Sequence, residues 1–138
     1  MENEIFASKF AKVFYNTSKK LYTIKYLSAT EDMSNQDWKN LMLSFQALWH
    51  KFETLYMISD DRERKFGYDP DLQEWTLKLV IPDWNKLGLK KYVQILPKDF
   101  ITNLSSEQID EMGNTRFSPF FENAFVQTYD EAVEWLAV

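Results

Sequence analysis

At 138 residues the chain is long enough to bury a substantial core without cross-links, and with no Cys it excludes a disulfide framework, thiol catalysis and cysteine-ligated metal. A net charge of -5 opposes general binding to nucleic-acid phosphates. Five Trp, seven Tyr and eleven Phe must be spent on a core or on a recognition surface, and a core is the cheaper use.

The opening, MENEIFASKF, has neither the basic flank nor the apolar centre of a signal peptide, and no apolar run nears the roughly 20 residues that span a bilayer. A cytoplasmic protein without membrane insertion is the expectation. Polar and apolar residues alternate from Phe10 to Tyr15 and from Lys20 to Ser28, with Tyr22, Ile24 and Tyr26 on one face. Turn formers Asn16 to Lys19 lie between them, so an N-terminal antiparallel hairpin is expected.

Ser34 and Asp37 form a capping-box pattern ahead of Trp38, Leu41, Met42, Phe45, Leu48, Trp49 and Phe52, whose spacings of three and four make one helical stripe. A helix laid on a sheet accounts for it; a partner-binding helix is the alternative. His50, the single histidine, lies beside the stripe with no Cys or paired acid nearby in sequence, which suits a structural or exposed imidazole.

Thr54 to Ile58 reads as a short central strand, followed by the charged loop Ser59 to Lys65. Loops at the carboxyl ends of such strands are where ligands are met. Alternating signs suit a solvated, self-neutralising loop; the adjacent acids make a weaker cation-site candidate, and Ser59 is a weak candidate for phosphorylation.

Asp69 caps a helix beginning at Pro70, and Gly88 stops it in the left-handed conformation. Pro82 inside it removes one N–H and obstructs the carbonyl of Lys78, at a cost of roughly 3 kcal/mol in a regular helix, so a bend is expected there. Leu72, Trp75, Leu79, Trp84 and Leu87 then face the core or border a cleft. The run Tyr92 to Leu96 is a buried strand that Pro97 ends. Asp99 to Met112 reads as helix in two pieces, with Ser105 and Gln108 as a capping box. Phe117, Phe120 and Phe121 fall in a connection and need cover from the fold, a partner or a ligand. Ala124 to Thr128 is a last strand, and Asp130 is expected to cap the closing helix Glu131 to Leu136.

Three pieces together carry a family resemblance: Glu74-Trp75 in a helix with Pro82 and Gly88, the strand Lys91 to Pro97, and the closing TYDEAVEWL of residues 128–136. They resemble the small bacterial STAS-like, SpoIIAA-like proteins grouped with the SEC14-like fold. The resemblance implies a single α/β domain over residues 1–138, with a mixed sheet of about five strands, an N-terminal hairpin and about four helices. Function carries over poorly from the resemblance, and the expectation of a non-catalytic regulatory or protein-interaction module rests on the residues themselves. The family's antagonist members are switched at a D-S-x-G loop, and this chain has no such tetrapeptide.

Only three glycines occur, each isolated, so no phosphate-cradling loop exists, and the single His has no evident Ser or Asp partner in sequence. No catalytic residue, metal site or cofactor is assigned. The leading expectation is an interaction module, a homodimer using Phe117, Phe120 and Phe121, with a protein partner as the other occupant. The alternative is an apolar small molecule or lipid held beside the kinked helix by Trp75, Trp84 and Phe100.

Overall fold

The alternating N-terminal residues form an antiparallel meander rather than a simple hairpin. In the computed structural model, which describes residues 2–67, 69–97, 100 and 120–138, strands β1 (Glu2–Ala7), β2 (Ala11–Asn16) and β3 (Leu21–Tyr26) run consecutively. Asn16 builds the second turn: its Oδ1 accepts from Lys19 N (3.1 Å) and Ser18 Oγ (2.9 Å), while Lys20 takes a positive φ of 54°. β1 is an edge strand with a register shift between Glu4 and Phe6, a common way of blunting a sheet edge.

The helix termini follow their local chemistry. Helix α1 (Asn35–Lys51) starts in a reciprocal box in which Asp37 N donates to Ser34 Oγ (3.1 Å) and Ser34 N donates to Asp37 Oδ2 (3.0 Å). After β4 (Tyr56–Asp60), helix α2 (Pro70–Leu87) begins with Leu72 N donating to Asp69 Oδ1 (2.8 Å) and ends at Gly88 with φ 77°. α2 continues through Pro82, which is exposed, as is Lys78, so the carbonyl deprived of its partner lies on the water-facing side. Strands β5 (Lys91–Ile95) and β6 (Glu122–Val126) precede α3 (Tyr129–Leu136). Thr128, not Asp130, caps α3: Glu131 N donates to Thr128 Oγ1 (3.1 Å), leaving Asp130 in the first turn, where its charge suits the helix dipole.

The sheet is α/β and mixed, in the order β1-β2-β3-β4-β5-β6, with β3 to β6 parallel. It has six strands rather than about five, because β1 adds to the hairpin. Three α-helices and one 3-10 turn (Ser28–Asp32) are present among the described residues, against about four helices expected. Apart from Phe100, the helical pieces expected between Asp99 and Met112 lie outside the described residues, as does Phe117.

Successive crossovers of one hand that step in one direction place their helices on the same face. Accordingly α1 and α2 share one core with Tyr15, Tyr22, Ile24, Tyr26 and Met57 of the sheet. α3 covers the opposite face, where Ala132 and Leu136 meet Leu21, Ile58, Val93 and Ile95. Of the first-helix stripe, Trp38, Leu41, Met42, Phe45 and Trp49 are buried, whereas Leu48 and Phe52 are half-buried. On α2, Leu72 and Trp84 are buried as expected, together with Thr76, Val80 and Ile81, while Trp75, Leu79 and Leu87 are half-buried.

Candidate functional site

Strand periodicity brings one polar group into the aromatic face. Side chains on a strand alternate between faces, so Ser59 shares the face of Met57 on β4, and Gln94 shares that of Tyr92 on β5. Ser59 pairs in register with Ile24 on one side and Gln94 on the other. Asp61, just past β4, has its N–H on Ile95 O (2.9 Å) and its side chain on the same patch.

Asp61 is 3% exposed. Ser59 Oγ donates to its Oδ1 (2.6 Å), Gln94 Nε2 donates to its Oδ2 (2.9 Å), and Arg64 Nη1 lies 3.9 Å from Oδ2. Burial pushes the Asp61 carboxyl above its ordinary value, opposed by Arg64 and by the bonds from Ser59 and Gln94. Asp60, its neighbour in sequence, is instead held by Arg62, whose Nε and Nη2 donate to Oδ1 (2.9 Å) and Oδ2 (2.8 Å). The charged run expected to be solvated thus has both of its adjacent aspartates buried.

Around this group opens a cleft of about 650 Å³ between the sheet and the two helices. Its walls include Tyr26, Trp38, Phe45, Trp49, Trp84, Tyr92, Phe100 and Phe121, with Ser59, Asp61, Arg64 and Gln94 as the polar patch. Volume and mixture of lining both match those of small-molecule sites. The three indoles on this face are satisfied unequally. Trp38 Nε1 donates to Thr76 Oγ1 (2.9 Å) and Trp49 Nε1 to Asp83 Oδ2 (2.6 Å), whereas Trp84 Nε1 is buried without a partner among the described residues. Unpaired buried donors are uncommon and call for an explanation.

No family model, curated protein sequence or solved structure matches the chain. The reading of the site therefore stands on its own geometry.

Of Trp75, Trp84 and Phe100, the ligand-site candidates, Trp84 and Phe100 border this cleft. Trp75 stands apart from the lining described for the cleft, half-buried with Lys39 Nζ 5.4 Å from its ring centroid. Phe121, expected at an interaction surface, is 7% exposed and packs edge-on against Trp84 at 5.7 Å. Phe120 is 88% exposed, with its N–H donating to Asn85 Oδ1 (3.1 Å). Ser59 is buried, and a phosphate on its Oγ would have to displace the bond to Asp61 and stand beside that carboxylate.

Sequence reasoning took Asp61 only as part of a solvated loop or a weak cation site and passed over Gln94, 33 residues away, which bonds to it. It also left His50 without a partner. His50 Nε2 is 2.8 Å from Asp83 Oδ2, the oxygen that also accepts from Trp49 Nε1, and so joins α1 to α2. Among the described residues no group of three or more His, Cys, Asp or Glu is arranged to hold a metal, and no helix is long and apolar enough to cross a membrane.

Proposed function

We propose that this chain is a non-catalytic binding protein that takes a small, largely apolar molecule into the cleft between the sheet and α1/α2. The observation that carries the reading is the cleft itself: about 650 Å³ walled by aromatic rings, with a buried polar patch on its floor. A core built only for stability closes such spaces, because protein interiors pack nearly as densely as organic crystals. Ser59 Oγ gives its hydrogen bond to Asp61, and no imidazole or lysine is among the described lining residues, so the patch is suited to binding rather than to activating a nucleophile.

Native mass spectrometry of freshly purified protein tests the reading. Retained non-covalent mass, lost on Trp84→Ala together with quenching of the remaining tryptophan response to added ligand, is expected. Protein of bare chain mass that also fails to respond to any apolar probe would retire it.

Self-association or docking of a protein partner at Phe120 is the second reading, favoured by that ring's 88% exposure beside Asn85. Phe120→Asp is then expected to convert a dimer to monomer in sedimentation experiments, and an unchanged sedimentation coefficient at the same concentrations removes the role.

A further inference from the structure

A cleft serving only an apolar molecule gains nothing from a buried carboxylate, because an anion withdrawn from water is costly unless closely paired. Asp61 is incompletely compensated. Its two close partners, Ser59 and Gln94, are neutral, and its one cationic neighbour, Arg64, stands at 3.9 Å. Two of its four carboxylate lone-pair directions are taken by the close donors, leaving acceptor capacity for another.

The charge of the described lining points the same way. Among the described lining residues Asp61, Asp71 and Glu74 stand against one cation, Arg64; Glu74 is paired with Lys78 (3.4 Å) and Asp71 is exposed, so Asp61 is the carboxylate that a ligand on the cleft floor meets. An anionic ligand placed on the cleft floor would meet the Asp61 carboxylate. The aromatic walls, by contrast, offer negative ring faces, and such faces already receive a cation here: the Arg64 guanidinium lies 5.7 Å from the Tyr26 centroid and 5.6 Å from that of Trp38. Trp84 supplies an independent pointer to a ligand, since it is 6% exposed, lines the cleft and has an Nε1 donor with no acceptor among the described residues.

We infer that the molecule taken by this cleft is an organic ammonium compound, its charged nitrogen beside Asp61 and its apolar body among the rings of Trp49, Trp84 and Phe121. An ether, hydroxyl or carbonyl oxygen in that body would satisfy Trp84 Nε1. This rests on the cleft being a ligand site, and adds the ligand's charge and head group.

Three probes that differ only at one end test it: 4-phenoxybutylamine, 4-phenoxybutan-1-ol and 4-phenoxybutanoate, titrated into the full chain by calorimetry and tryptophan fluorescence near pH 7. The amine is expected to bind at least about tenfold more tightly than the alcohol, as a charge-assisted contact provides, and the carboxylate most weakly. Asp61→Asn should bring the amine down to the alcohol's affinity and leave the alcohol unchanged. If the alcohol equals or exceeds the amine in the unaltered protein, the ammonium assignment is overturned while the cleft stands as a site. If none of the three binds at millimolar concentration and no retained mass is found, the binding reading falls and the inference with it. Should Asp61→Asn fail to fold, the series on the unaltered protein decides by itself.

Discussion

The two faces of the sheet use its side chains for different ends. Under α3 the fully buried contacts are aliphatic: Leu21, Ile58, Val93 and Ile95 meet Ala132 and Leu136, with Tyr56, Tyr129 and Trp135 half-buried at the margin, and an eight-residue helix is enough to cover them. Under α1 and α2 the sheet presents Tyr22, Tyr26 and Tyr92 to Trp38, Phe45, Trp49 and Trp84. Large rigid rings meet edge to face, as between Trp49 and Trp84 at 74°, and leave space between them. One face is closed by shape; the other is propped open and carries a carboxylate. On the binding function proposed above, stability and binding are divided between the two sides of one sheet.

The largest effect that separates the faces is expected where the aromatic side is truly packed. Phe45 is wholly buried and touches Phe6 and Tyr26 edge-on, so Phe45→Ala should lower unfolding free energy by about 3–5 kcal/mol in denaturant titration. On the opposite face Leu136→Ala, at 1% exposure, should cost about 2–3 kcal/mol, the lower part of the range because the end of a short helix can settle into the gap. A loss from Leu136→Ala larger than that from Phe45→Ala would reverse the division.

Asp61 sharpens the comparison through pH. Burial raises its folded-state pKa above the ordinary 3.8, so between those two values the folded chain holds a proton that the unfolded chain has released. Its contribution to stability therefore falls as pH rises through that window, and its full cost is present above the folded pKa. Asp61→Asn should stabilise the chain at neutral pH and remove this part of the pH dependence, as read from melting temperature against pH. Gln94 can reverse its amide to accept from the new Asn. A variant less stable at pH 7, with an unchanged pH profile, would show that Arg64, Ser59 and Gln94 already compensate the charge.

The smallest effect lies where the chain turns from the helical layer back into the sheet. Gly88 has φ 77°, and a Cβ there would meet nothing within 4 Å. Gly88→Ala should thus cost only the left-handed backbone penalty, about 1–2 kcal/mol, and should leave ligand affinity untouched.

How much of this was legible in sequence depended on range. Ser34 with Asp37, Asp69 before Pro70, and Gly88 are local signals, because a cap bonds to its own next turn, and all three act as their patterns indicate. The strands were readable from alternation to within about two residues. β1 escaped because edge strands carry little apolar patterning; Glu2, Asn3 and Glu4 are exposed. Thr128 was passed over although Thr128-x-x-Glu131 is itself a capping pattern, and the acid two residues on drew attention instead.

The site was legible only in part. Trp84 and Phe100 were picked out as aromatic positions beside a helix, but a linear pattern carries no sign that Trp75 turns toward Lys39. Asp60 and Asp61 looked solvated because six of the seven residues 59–65 are charged, and such runs usually face water. The bond that Asp61 accepts from Gln94 on the neighbouring strand is fixed by sheet register and invisible along the chain.

The central claim, that the aromatic face is held open while the α3 face is closed, is tested most directly by crystallography under xenon pressure. Xenon occupies apolar space large enough for it irrespective of the natural ligand's head group. The account expects xenon density beside Trp84, between α2 and the sheet, and none between α3 and Ile58 or Val93. Side chains filling the space around Trp84, with no xenon there, would contradict it.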